Sequence, residues 1–349
     1  MIEYAYHKSL RLRNFTAFGD ASLDFVPGVN VLVGENGTGK THVMKALYAM
    51  QLTQSRTSRP ISTTLEDLFQ TKDVADVVRM GTGKGAIADV GGSYAGEEWS
   101  YAIQRGVPIG LATDSCVTTA ERPVFIPAID MMGHTKGFTE AYEEVRLDFD
   151  LTCRDVVNLL RLERKNGNTS VARDAGLEAL GLEALLAPVL NGTIERDDGG
   201  RFYLVNSLGR LPMPMVAEGL RKIATLVQLD RNGWLSPGTT LFWDEPEVNL
   251  NPILMDEVVG AILSLMRRNV QVFLATHSYV ILKELDLQAR KGDTIRYLAF
   301  QQDVEGTTVN ATDDFALLRP NPILEQYDSL YDRELTRSTG RDRRGERVY

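Results

Sequence analysis

Apolar and polar positions alternate at the start of the chain and then change rhythm. Leu10-Arg11-Leu12-Arg13-Asn14-Phe15 sets apolar against polar residues with a period of two. Residues 21–25 repeat the pattern before the Pro27-Gly28 turn, and both stretches predict strands. Residues 29–33 form a short, mostly apolar run that predicts a buried strand. Val43, Met44, Ala46, Leu47 and Met50 then follow at helical spacing. Between strand and helix lies Gly34-Glu35-Asn36-Gly37-Thr38-Gly39-Lys40-Thr41.

Further along, residues 51–85 predict a loop and a short helix, and 86–90, 99–104 and 124–126 predict strands. Residues 137–190 read as mainly helical, with Val156, Val157, Leu159 and Leu160 on one side and a break at Asn166-Gly167-Asn168. A hairpin is expected over 192–206, turning at Asp197-Asp198-Gly199-Gly200. A helix over about 215–230, a loop at 234–238, a buried strand at 239–243, a helix at 252–268 and a third buried strand at 270–275 complete the pattern. Strands that alternate with helices imply an α/β fold with a mainly parallel core sheet and helices on its faces. The chain shows no internal repeat and no coiled-coil heptad run.

Composition narrows the classes. With 349 residues and 43% hydrophobic content there is enough apolar material for a substantial core, and a 24% charged fraction argues against bulk disorder. The formal net charge of −9 favours solubility and weighs mildly against a surface covered with phosphate-binding lysines. Cys116 and Cys153 lie outside any paired or metal-ligand spacing, so neither a disulfide framework nor a zinc site is expected. The first residues lack the apolar core of a signal peptide, and the longest apolar runs, such as 258–266, are too short to span a bilayer. The expectation is a cytoplasmic protein. Residues 337–349 carry five arginines against one Asp and one Glu, and read as a solvated, basic, frayed terminus.

The candidate chemistry begins at residues 34–41, which match GxxxxGK[ST] between a strand and a helix. In such a loop the glycines turn backbone N–H groups inward around phosphate oxygens, and the helix N-terminus adds partial positive charge. Gly34, Glu35, Asn36, Gly37, Thr38 and Gly39 would form the cradle. Lys40 would bridge the β- and γ-phosphates, and the Thr41 hydroxyl would ligate Mg2+. Gly81-Thr82-Gly83-Lys84-Gly85 echoes the loop without its leading glycine or final hydroxyl, and reads as a surface turn. The apolar strand Thr239-Thr240-Leu241-Phe242-Trp243 ends in Asp244-Glu245: Asp244 would hold the metal through water, and Glu245 would polarise the attacking water. His277, just past the third core strand, would hydrogen-bond the γ-phosphate.

These elements, in this order, resemble the ABC-type ATPase heads of the SMC, RecF and OLD group over residues 10–286. Glu218-Gly219-Leu220-Arg221-Lys222, Phe242-Trp243-Asp244-Glu245-Pro246-Glu247-Val248-Asn249-Leu250-Asn251-Pro252, Thr276-His277-Ser278 and Val124-Phe125-Ile126-Pro127-Ala128 are also similar to small stand-alone AAA/OLD-like ATPases of anti-phage systems such as Septu and PARIS. The resemblance implies ATP and Mg2+ as cofactors and a head-to-head homodimer with ATP between the heads. Residues 248–251, with Asn249, would be a D-loop passing between subunits. A signature-like helix would open at Ala217-Glu218-Gly219, with Ala217 in place of the usual serine. Glu218 and Gly219 would approach the second subunit's nucleotide, and Arg221 or Lys222 would supply charge there. The Q-loop is not placed, Gln70 and Gln104 being equal candidates.

The expected organisation is an N-terminal part of the head with the phosphate loop and an antiparallel β subdomain (1–126), a helical lobe (127–190), and a segment with the signature-like helix, second acidic strand, D-loop and histidine (191–290). A C-terminal partner-contact segment (291–335) and a basic tail (336–349) follow. The leading functional expectation is an ATP-driven sensor or scaffold controlling a separately encoded effector, a nuclease, since no nuclease pattern occurs in this chain. A RecF-like DNA-repair ATPase, which would bind nucleic acid directly, is the second, and a transporter nucleotide-binding subunit the third.

Overall fold

A computed structural model describes residues 4–55, 59–83, 85–104, 120–145, 147–164 and 181–339. The break at Asn166-Gly167-Asn168, Cys116, Lys84 and the tail beyond Thr339 lie outside the described residues.

The N-terminal alternation forms β1 (His7–Phe15) and β2 (Phe18–Asp24), which pair antiparallel with Leu12 opposite Ala21. With β4 (Ile87–Tyr94) and β5 (Glu97–Gln104) they make a four-stranded antiparallel sheet of order β2-β1-β4-β5. The second sheet is the core. It contains β3 (Val29–Gly34), β6 (Val124–Ile126), β10 (Thr240–Asp244), β11 (Gln271–Thr276), β12 (Ile295–Asp303) and β13 (Gly306–Thr312), in the order β13-β12-β3-β11-β10-β6. All its pairings are parallel except β12 with β13. A third small sheet joins β7 (Thr193–Arg196), β8 (Phe202–Asn206) and β9 (Gly209–Pro212). The expected hairpin is β7–β8; β9 adds a strand that the periodicity did not announce.

The core strands are buried on both faces, so period two distributes their side chains between two apolar layers. Val31, Val33, Leu241, Trp243, Val272 and Leu274 face one layer; Leu32, Phe242, Phe273 and Ala275 face the other. Register places Phe125, Phe242 and Phe273 side by side, and their rings stack at 5.9 and 5.0 Å. Each such ring contributes about 1.5–3 kcal/mol by burial, so the middle of this sheet is rigid.

Helix α1 (Lys40–Gln54) leaves β3 through the phosphate loop and packs in the layer shared with the antiparallel sheet. Helix α2 (Ile61–Phe69) lies beside it. Between β6 and β7 the described residues form α3 (Phe138–Val145), α4 (Leu151–Arg161) and α5 (Leu182–Leu190). Asp150 caps α4 by accepting from the N–H groups of Thr152 and Cys153, and its other oxygen pairs with Lys45 of α1 at 2.7 Å. The Tyr48 hydroxyl of α1 donates to buried Asp155 of α4 at 2.7 Å, which fixes α4 to the phosphate-loop helix. On the opposite face of the sheet, α5 packs with α6 (Glu218–Arg231) and α7 (Met255–Arg267).

After α8 (Tyr279–Gln288) the chain returns to the sheet. The 291–335 segment, expected to contact partners, supplies β12, which lies directly beside β3 with Leu298 fully buried. Its later part forms α9 (Pro322–Thr339), a helix without a buried residue that runs past the expected boundary at 336. Among the described residues, no helix is long and apolar enough to cross a membrane.

Candidate nucleotide site

Parallel strands end together, so β3, β11 and β10, neighbours in the sheet, deliver three loops to one rim. The first is the glycine loop. Gly39 takes a left-handed φ of 91° as the residue before α1, and a Cβ there would meet the Phe18 ring at 2.7 Å. Glycine is therefore required by both torsion and space. Thr38 is buried and its hydroxyl donates to the Glu35 carbonyl at 2.9 Å, while Glu35, Asn36 and Gly37 are exposed. The Lys40 ammonium folds back into the loop and donates to the carbonyls of Gly34 and Glu35 at 2.9 and 2.8 Å. Burial pushes its pKa down to about 8, against the pull of Asp244, Glu245 and Glu247.

The Thr41 hydroxyl donates to Asp244 Oδ2 at 2.9 Å across 203 residues of sequence. Asp244 is buried at the end of β10, and desolvation raises its pKa to about 6 in spite of that hydrogen bond. A buried carboxylate facing a hydroxyl at the mouth of a phosphate cradle is a hard-oxygen donor set that fits Mg2+, which takes few protein ligands and completes its shell with phosphate and water. Among the described residues there is no group of three or more His, Cys, Asp or Glu side chains that could hold a metal ion.

Glu245 has a φ of 47°, rare for a residue with a side chain and worth about 1–3 kcal/mol of strain. Its N–H donates to Ala275 of β11 at 3.0 Å. Its carboxylate is partly exposed and stands 3.7 Å from Nε2 of half-buried His277. Desolvation, then Lys40, lowers the His277 pKa, so near neutral pH the imidazole is uncharged and the contact is not an ion pair.

Four residues complete the site in roles that sequence reasoning did not give them. Half-buried Glu247 accepts from the Thr276 hydroxyl at 2.9 Å and the His277 N–H at 2.6 Å, and so fixes the histidine loop to the turn after β10. Its pKa is raised by desolvation. Asp130, on the exit from β6, is buried and pairs with Arg221 at 2.7 Å. The Arg221 guanidinium also donates to the carbonyl of Val216. This corrects the expectation that Arg221 faces a second subunit: its side chain is spent inside its own chain. Lys222 is likewise buried and donates to the Glu245 carbonyl at 3.2 Å.

Glu218 and Gly219 open α6. A Cβ on Gly219 would lie 2.9 Å from the Asn249 carbonyl oxygen, so the turn carrying Asn249 packs directly on this helix start. Asn249 is exposed, with a left-handed φ of 60°. Of the Q-loop candidates, Gln70 donates to Asp148, and Gln104 closes β5 opposite Ile87. His42 packs on the Phe69 ring, and Gly81 and Gly85 occupy open turns with positive φ.

Fold and site define a P-loop ATPase: a phosphate loop, an acidic strand end and a histidine loop on three adjacent parallel strands. Two family models match, one described as "AAA domain, putative AbiEii toxin, Type IV TA system" over residues 154–283 and one as an AAA ATPase domain over residues 7–82. The fold is that of SMC heads. The Smc head domain of Pyrococcus furiosus, solved with the C-terminal domain of ScpA, aligns over 95% of this chain and 100% of its own at 12% identity and a TM-score of 0.58. A second SMC head, bound to the C-winged helix domain of ScpA, aligns over 88% and 98% at 13% identity and a TM-score of 0.55. Curated relatives match over short segments. The DNA replication and repair protein RecF of Streptococcus uberis is 44% identical over 52 residues, which are 15% of this chain and 14% of that protein. RecF of Streptococcus gordonii is 36% identical over 67 residues, 19% and 18% respectively. The chain is a P-loop ATPase with a fold like that of SMC heads.

Proposed function

We propose that this chain is a Mg2+-dependent ATPase head that closes on a second copy of itself around ATP and opens on hydrolysis, and that this cycle controls a separately encoded effector, a nuclease, in anti-phage defence. The observation that carries the reading is the convergence of Lys40, the Thr41–Asp244 pair and the Glu245–His277 pair on one strand-end rim. Residues 34–39 cradle the phosphates through their backbone. Lys40 exchanges its two loop carbonyls for phosphate oxygens. Thr41 and Asp244 hold the metal, which offsets phosphate charge when bound. Glu245 takes the proton of the attacking water, and neutral His277 hydrogen-bonds the γ-phosphate. Exposed Asn249 and the α6 start with Glu218 and Gly219 form the face offered to the second copy.

The likeness of residues 124–128, 218–222, 242–252 and 276–278 to AAA/OLD-like ATPases of anti-phage systems is what supports the effector-controlling reading. The RecF segments favour a second one, a repair ATPase that binds DNA directly. Glu245→Gln should bind ATP, lose nearly all turnover, and accumulate as a closed dimer in gel filtration with ATP and Mg2+. Wild-type turnover in that variant removes Glu245 as the base. Capture on the same variant from its host separates the two roles: a stoichiometric nuclease subunit supports the first, and DNA that elutes with salt and brings no protein supports the second.

A further inference from the structure

The Glu245 carboxylate is aimed by its backbone. The side chain is about one third exposed, while the peptide on either side is fixed: the N–H by Ala275 of β11, the carbonyl by the Lys222 ammonium at 3.2 Å. Lys222 stands in the second turn of α6 and is 2% exposed. The acidic groups around it are Glu218 on its own helix, Glu247 and Glu245 on the turn after β10, and Asp130 on the exit from β6. A lysine placed there for packing alone would be replaceable by a methionine, which has nearly the same length and no charge. Two geometric observations argue for more. The acceptor is the carbonyl of a residue held at a strained, left-handed φ of 47°, and strain persists only where surrounding bonds impose it. The ammonium is also held out of water, 2% exposed, on a helix whose start packs on the turn that Glu245 opens.

We propose that Lys222 is a positioning residue for ATP hydrolysis, its ammonium holding the Glu245 carbonyl so that the left-handed turn aims the Glu245 carboxylate beside His277. The inference rests on Glu245 as the base. It also makes the signature-like helix a direct support of the base in its own subunit, rather than only a surface offered to the second one.

The test uses the full chain with ATP and Mg2+. Lys222→Met should keep ATP affinity within about threefold and lose at least about tenfold in kcat, because ground-state binding does not use the turn. A residue that merely fills space would leave kcat in place, or lower ATP affinity and kcat together. In a Glu245→Gln background, adding Lys222→Met should cost no more than about a further twofold, because both changes act through one group. If Lys222→Met does not melt cooperatively, Lys222→Gln, whose amide nitrogen ends one bond short of the lysine ammonium, is read by the same split between ATP affinity and kcat. Wild-type kcat, or fully additive losses in the double variant, overturns the proposal. If Glu245→Gln itself turns over normally, the base assignment falls and takes this inference with it. An inactive Glu245→Gln beside a normal Lys222→Met removes the positioning role alone.

Discussion

Two glycines in helices make opposite predictions for the same substitution. Gly219 lies in the first turn of α6, where an added Cβ meets the Asn249 carbonyl oxygen at 2.9 Å, Leu250 Cδ1 at 3.0 Å and Leu250 Cα at 3.1 Å. Gly260 lies in the middle of α7, where the nearest atom is Gln288 Oε1 at 3.4 Å, the movable end of a side chain. Alanine gains up to about 1 kcal/mol over glycine in a helix from reduced backbone entropy. At Gly260 nothing opposes that gain, so Gly260→Ala should stabilise by about 0.5–1 kcal/mol. At Gly219 two of the three contacts are backbone atoms, and overpacking costs about 1–3 kcal/mol, so the net effect is a loss of about 1 kcal/mol. For a chain of this size each kcal/mol moves the melting temperature by roughly 2 °C, so the two variants should differ by about 3–4 °C in nucleotide-free calorimetry. Activity should separate them more sharply. The Leu250 N–H donates to Glu247, so displacing this turn disturbs the residue that holds His277, and Gly219→Ala should lose about tenfold in ATP turnover while Gly260→Ala loses none. A Gly219→Ala chain that melts as high as Gly260→Ala, or hydrolyses ATP at the wild-type rate, refutes the packing argument.

Other expectations follow from the charges. Lys40 is a cation only below about pH 8, so ATP should bind about tenfold more weakly at pH 9 than at pH 7 by calorimetric titration, and a flat profile would contradict its role. The sign for stability is opposite: between about 8 and the ordinary lysine value the unfolded chain holds the extra proton, so this group adds stability as pH rises. Asp244 has a folded pKa of about 6, raised by burial, so its ionised form carries a stability penalty above that pH; Asp244→Asn should raise nucleotide-free stability at pH 7.5 by about 1–3 kcal/mol while abolishing turnover. A less stable Asp244→Asn chain counts against that assignment. Arg221→Ala leaves buried Asp130 uncompensated and should cost about 3 kcal/mol, whereas Asp130→Leu with Arg221→Met should recover most of it in urea unfolding; equal losses would refute the buried-pair reading.

What the sequence disclosed was local. The strand, glycine loop and helix of residues 29–54 sit within one short window, and both their periodicity and their motif are visible there. Asp244, Glu245 and His277 were legible because each follows an apolar run that the structure turns into a core strand. The Asp130–Arg221 pair spans 91 residues and the Lys222–Glu245 bond 23, and no spacing rule connects such partners. Arg221 and Lys222 were placed on the right helix, yet the facing of their side chains depends on how α6 meets the exit from β6 and the turn after β10. That is a tertiary fact. Residues 295–300 alternate too little to separate a central strand from a contact segment, and only pairing with β3 shows the difference.

The position of β12 also governs the order in which the molecule can be made. Residues 29–34 leave the ribosome long before their two flanking strands, which are encoded at 271–276 and 295–303. Until those emerge, the strand that carries the phosphate loop has both edges open, and open edges invite wrong pairing. The nascent chain therefore acquires a finished rim only once residue 303 has been made. Contacts this distant in sequence make folding slow, so this is a chain whose yield should depend on chaperones and on growth temperature more than the solidity of its finished core suggests.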